Sequence, residues 1–178
     1  YPMPTLGRSW WTALVTMVLC GAMLAGFSLA YYGKEEMNHF TDGEVAATRY
    51  LYQVAPEESL IIEGTSTYPI RDQIYEKFSY YPIVIAVDDP PYAECEYSVD
   101  DLLSLLKDPI YPGTTEHAPA SFLIVTRSQL ASTRLLGACS IQPVIDEMAR
   151  LPCVEPIFVD PDAVILTISD DPTALAAC

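Results

Sequence analysis

The sequence predicts one N-terminal transmembrane helix, residues 1–34 with its flanks, followed by a three-layer α/β domain over residues 35–178. The sheet is expected to be mostly parallel with a mixed edge. Three observations carry this prediction. Trp10 to Tyr32 is an uncharged, apolar run of 23 residues. Beyond it, short apolar runs alternate with capped helices, the pattern of a parallel sheet covered on both faces. The last two apolar runs are separated only by a short turn, which implies an antiparallel edge.

The first run is long enough to cross a hydrocarbon core of about 30 Å as a helix. Trp10, Trp11, Tyr31 and Tyr32 stand at its two ends, where amphipathic rings favour the headgroup layer. A cleaved signal peptide is the rival reading, but its apolar region is about 7–15 residues, and Ser28-Leu29-Ala30 is a poor cleavage site. Inside the run, Gly21/Ala25 and Ala22/Gly26 are small residues four apart. They would let another membrane helix approach closely, although such residues are common in any membrane helix. Arg8 before the run and Lys34 after it leave the positive-inside count tied.

Thr41-Asp42-Gly43-Glu44 reads as a capping box, with Val45, Ala46, Tyr50, Leu51 and Val54 at helical spacing and Pro56 beyond the end. Leu60–Ile62 is a short buried strand, Gly64–Pro69 a loop, and Gln73–Phe78 a short helix. Ile83–Val87 is the most continuous β-branched run, which predicts a central strand flanked by Leu60–Ile62 and Phe122–Val125. Ser98 caps a helix carrying Leu102, Leu103, Leu105 and Leu106, and residues 108–120 form a Pro-rich loop. Ser128 is read as the cap of a helix that Gly137 stops, and Pro143 opens another, running to Arg150. Pro156–Val159 and Val164–Ile168 then form a hairpin across Asp160-Pro161-Asp162.

The chain has 9 basic and 24 acidic residues, a net charge of −15, and all the acids lie from residue 35 onward. A surface of that sign repels phosphate backbones and excludes a nucleic-acid partner. Half of the residues are hydrophobic, which excludes a disordered chain. The sequence begins at Tyr1, as a processed chain or a piece of a longer one would.

In open α/β sheets, ligands bind beyond the carboxyl ends of the strands. The predicted strand ends bring Glu63 to Tyr68, Asp88-Asp89 with Tyr92, and Arg127-Ser128-Gln129 to that rim. Asp88 and Asp89 could bind a hard cation through oxygen or accept hydrogen bonds from sugar hydroxyls, Arg127 could grip a phosphate through two parallel bonds, and Tyr68 or Tyr92 could stack on a sugar ring. An ordinary solvated rim is the alternative. His39 and His117 have no partner at zinc spacing, so neither a metal nor a cofactor is expected. Cys139 and Cys153 bracket the helix beginning at Pro143 and could pair if the chain folds back; two buried thiols are the alternative.

Further residues carry a resemblance. Tyr32-Gly33-Lys34-Glu35, Phe40-Thr41 with Glu44-Val45-Ala46-Ala47, Tyr50-Leu51 with Ala55-Pro56 and Ser59-Leu60-Ile61, and Phe122 to Gln129 follow one another before a helix pair and the run from Val154 to Ile168. This order resembles the last membrane helix and C-terminal extracytoplasmic domain of bacterial GT-C (family-39-like) multi-spanning glycosyltransferases, which use lipid-linked sugar donors. The resemblance implies a domain outside the cytoplasm, working near a lipid-linked sugar or a glycan acceptor. That family's catalytic Asp lies in an early extracytoplasmic loop that no residue here matches. The resemblance therefore assigns no catalytic residue and implies no transfer by this chain alone. A stand-alone anchored subunit of a membrane or cell-surface assembly is the other expectation.

Overall fold

A backbone N–H at a helix start has no partner within the helix, so Thr41, Glu44, Ser98 and Asp101 mark where two helices begin. The computed structural model describes residues 6–32, 39–69, 71, 75–83, 98–135 and 140–178. The chain divides into two compact units, Tyr1–Glu35 and Glu36–Cys178.

In the first unit, α1 (Leu6–Tyr32) has 27 residues, about 40 Å of helix. Its stretch Trp10–Tyr32 is exposed throughout, and is long and apolar enough to cross a membrane. The Thr16 hydroxyl donates to the Thr12 carbonyl at 2.8 Å, which satisfies a polar group on the helix's own backbone.

The second unit is built on a five-stranded mixed sheet. Its elements are α2 (Asp42–Val54), β1 (Leu60–Glu63), a 3₁₀ turn (Tyr75–Lys77), β2 (Ser79–Pro82), α3 (Val99–Lys107), β3 (Ser121–Thr126), α4 (Arg127–Leu135), α5 (Gln142–Met148), β4 (Val154–Asp160), β5 (Ala163–Ile168) and α6 (Pro172–Ala176). The strand order is β2-β1-β3-β5-β4. β1 runs parallel to β2 and β3, while β5 runs antiparallel to β3 and β4. The expected mixed edge is thus the β4–β5 hairpin.

One strand expectation fails. The centre of the sheet is β3, not Ile83–Val87. The strand near that run is Ser79–Pro82, and among the described residues it pairs only with β1. Residues 84–87 lie outside the described residues. Tyr80 and Tyr81 favour a half-buried pleated surface. Pro82 has no N–H to give a neighbour, which suits an edge position.

The alternation of the strands sorts the core into two layers. Leu60, Ile62, Leu123, Val125 and Leu166 pack on one face with Leu102 and Leu106 of α3 and Ile145 and Met148 of α5. Ile61, Phe122, Ile124 and Ile165 pack on the other with Ala47 and Leu51 of α2. Fully burying one such Leu or Ile contributes about 2 kcal/mol. Asp160 packs against Gly43 in the first turn of α2, where a Cβ would collide with its carboxylate. The carboxylate also stands where a helix N-terminus favours negative charge.

Candidate functional site

The carboxyl ends of β1 and β3 lie side by side, because Glu63 pairs with Ile124 in register. β3 passes into α4 without a loop, and Thr126 rather than Ser128 makes the cap. Thr126 N–H donates to Gln129 Oε1 at 2.8 Å, and Gln129 N–H donates back to Thr126 Oγ1 at 3.4 Å. This reciprocal pair is a capping box, legible in Thr126-x-x-Gln129. Ser128 then does something else: its N–H donates to Glu44 Oε1 at 2.7 Å.

Glu44 is fully buried and serves two helix starts. Its Oε2 accepts from Thr41 N–H at 2.8 Å, closing the cap of α2, while Oε1 holds the first turn of α4. Burial pushes its carboxyl up, but hydrogen bonds from Ser128 and Thr41 and the charge of Arg127 outweigh that and hold it below the ordinary carboxylate value.

Arg127 donates through Nη2 to the His39 carbonyl at 2.6 Å and lies 3.7 Å from Glu44 Oε2. Its Nε is 3.9 Å from Asp162 Oδ1, and its own N–H donates to the Asp162 carbonyl at 2.8 Å. The guanidinium expected to hold a phosphate thus makes one hydrogen bond, to the His39 carbonyl, while its Nε is buried without a hydrogen-bond partner among the described residues.

The loop after β1 is stitched to α4. Gln129 Nε2 donates to the Thr65 carbonyl at 2.7 Å, and Ser128 Oγ donates to the Thr67 carbonyl at 3.1 Å. A Cβ at Gly64 would meet the tip of the Ile141 side chain, which would have to shift.

A second network lies at the end of β1. Glu63 is fully buried and takes Arg71 as a bidentate partner, with Nε to Oε2 and Nη2 to Oε1 both at 3.0 Å. Arg71 also lies over the Tyr80 ring, 4.6 Å from its centroid. The Tyr80 and Tyr52 hydroxyls are 3.2 Å apart, and the Tyr52 ring stacks on Phe78. Burial would lower the Arg71 pKa, but the Glu63 carboxylate outweighs it and keeps the guanidinium charged. Burial raises the phenols of Tyr52, Tyr68 and Tyr80 above their ordinary value.

Tyr68 is 4% exposed and packs in the α2-side core. It presents no ring face for a sugar, which corrects its expected role as a stacking platform. Its hydroxyl is buried without a hydrogen-bond partner among the described residues. Asp88, Asp89 and Tyr92 lie outside the described residues. The structure brings together the loop of Tyr68 and the start of α4 at Arg127, as the strand-end reading requires, but buries Tyr68 and ties Arg127 to the His39 carbonyl.

Cys153 pairs with Cys178, with Cα atoms 5.9 Å apart. This corrects the expected Cys139–Cys153 bridge; Cys139 lies outside the described residues. The β4–β5 hairpin returns the chain to Cys153, where Ser169 N–H donates to the Cys153 carbonyl at 2.8 Å.

The sequence reading missed Glu63, Arg71, Tyr52 and Tyr80 as a group. Arg71 stands eight residues beyond Glu63, a separation that no regular helix or strand spacing flags. Comparison with protein-family models, curated proteins and solved structures finds no match for the chain.

Proposed function

We propose that the chain is a membrane-anchored, non-catalytic extracytoplasmic α/β domain that works by contact, as the C-terminal module of a lipid-linked-sugar-dependent glycosyltransferase of the GT-C kind. One observation carries the non-catalytic part of this reading. The described carboxylates at the carboxyl ends of the parallel strands are spent on the protein itself: Glu44 on two helix starts and Glu63 on Arg71. A general base has to be free to reach a substrate proton, and these carboxylates are sealed in the core.

The Cys153–Cys178 disulfide supports a location outside the cytoplasm, since disulfides persist in oxidising compartments. The glycosyltransferase part rests on the sequence resemblance. The alternative, a stand-alone anchored subunit of a membrane or cell-surface assembly, is supported by α1, which is long and apolar enough to anchor a domain.

The test is to reconstitute the chain in vesicles with polyprenyl-phosphate sugars and acceptor glycans. No turnover is expected. Turnover abolished by Asp88→Asn or Asp89→Asn would make the chain an enzyme and overturn the reading. Activity of a longer protein with upstream membrane spans, lost on deleting residues 36–178, would favour the glycosyltransferase module over the stand-alone subunit. Labelling of a cysteine introduced at the exposed Pro112 in intact cells checks the topology; labelling only after lysis would place the domain inside.

A further inference from the structure

The segment Ser169–Cys178 is attached differently from the rest of the domain. α6 has five residues, none of them buried. Its cap is Asp171, whose carboxylate accepts from the Thr173 N–H and hydroxyl. Asp171 N–H donates to Ser169 Oγ, and the N–H groups of Leu175, Ala177 and Cys178 donate to Asp171, Ala174 and Leu175. All of these bonds close within the segment. Among the described residues, the one hydrogen bond from the segment to the rest of the domain is Ser169 N–H to the Cys153 carbonyl. The other link is the Cys153–Cys178 disulfide.

Both links converge on Cys153, which is fully buried in the α3-side core. A helix this short does not persist in water unaided. With no buried side chain on α6, packing supplies little to hold it. The covalent bond therefore keeps the far end of the segment in place. The sheet does not need it: β5 is hydrogen-bonded to β3 on one side and β4 on the other, and neither cysteine lies in a strand.

We propose that Ser169–Cys178 is a redox-released strap: a dithiol that reduces Cys153–Cys178 frees the segment beyond Ser169 while the five-stranded sheet stays folded. The exchange balances. One thiolate of the dithiol displaces a cysteine sulfur and forms a mixed disulfide. The second thiolate displaces the other cysteine sulfur and closes the reductant's own disulfide. Two electrons and two protons pass to Cys153 and Cys178. The released Cys178 thiol is then free to exchange with the disulfide of another protein.

The experiment uses the full chain in detergent micelles. A non-reducing peptide map first shows whether the Cys153–Cys178 peptide forms, and its absence overturns the proposal. Amide hydrogen exchange is then followed with and without dithiothreitol. Leu175, Ala177 and Cys178 are expected to exchange about tenfold faster or more after reduction, while β1, β3 and β5 keep their protection. Cys178→Ser should reproduce the reduced pattern without reductant. Unchanged exchange at Leu175, Ala177 and Cys178 would mean that other contacts hold the segment. Equal loss of protection in the strands would make the bond a support of the whole domain. Either result overturns the strap.

Discussion

The parallel and antiparallel halves of the sheet are stabilised by different means. On the parallel side, every residue of β1 and β3 is buried. Their carboxyl ends carry polar groups that water cannot reach, so side chains from distant segments must satisfy them: Glu44 for the start of α4, Arg71 for Glu63, Gln129 for the Thr65 carbonyl. On the antiparallel side, β4 is buried only at Val154, and Val159 is 73% exposed. Backbone pairing, the core-facing side chains of β5 such as Ile165 and Leu166, and a disulfide suffice there. A parallel sheet buried on both faces makes its polar ends a matter of internal structure; an antiparallel hairpin can leave them to water.

The largest expected effect tests that contrast in the core. Ile124→Asp puts an unpaired charge at the fully buried centre of β3. The cost is several kcal/mol, on the order of the whole stability margin. Circular dichroism of the domain should show no cooperative unfolding transition. A folded variant would mean that β3 is not the centre of the core.

Next is Glu63→Gln. It leaves Arg71, whose side chain is 18% exposed, without its buried carboxylate. Breaking a buried pair from one side costs about 3 kcal/mol, and partial access of Arg71 to water places the loss at or below that figure. Urea denaturation measures it. Adding Arg71→Met to Glu63→Gln should recover part of the loss, because the stranded charge goes with it.

How much of this was legible depends on the range of each signal. The capping box at Thr41, the helix cap at Ser98, the loop from Gly64 and the hairpin across Pro161 are local patterns, and all appear in the structure. The shared, parallel direction of β1 and β3 is also legible in their apolar runs, but not their direct pairing, because Ile83–Val87 is expected between them. Strand order is not, because β-branched continuity reports burial and not position. Ile83–Val87 was therefore placed at a centre that β3 occupies. Arg127 and Tyr68 were correctly placed at strand ends, but sequence gives no sign of which way a side chain turns. Glu44 shows the same limit: its first partner, Thr41, is three residues away and was read, while its second, Ser128, is 84 residues away and was not.

Glu44 supplies a smaller, pH-dependent effect. Its folded carboxyl titrates below its ordinary value of 4.5. The folded state therefore binds this proton less readily than the unfolded state does. The stabilisation is complete above about pH 5 and is lost as pH falls through the lower, folded pKa. Glu44→Gln should cost about 2 kcal/mol at pH 7, the scale of hydrogen bonds to a charged group. The gap between wild type and variant should narrow in acid. A gap that stays constant from pH 7 to pH 3 would mean that the carboxylate charge is not what ties α2 to α4.

The smallest expected effect marks the other side of the comparison. Val159 stands in β4 opposite Val164, with its side chain largely in water. Val159→Thr keeps the β-branch that favours extended backbone and changes only a methyl to a hydroxyl. Exposed as it is, the methyl contributes little burial and the hydroxyl meets water, so stability should move by no more than about 0.5 kcal/mol. The same exchange at Val125, 3% exposed in β3, would bury a hydroxyl among α3-side apolar groups and cost about 1–3 kcal/mol unless it finds a partner. Thermal unfolding of both variants, side by side, measures the difference between the halves. Equal losses would mean that the outer face of the hairpin is covered in the folded protein, and the contrast between a sealed parallel half and an open antiparallel half would fail.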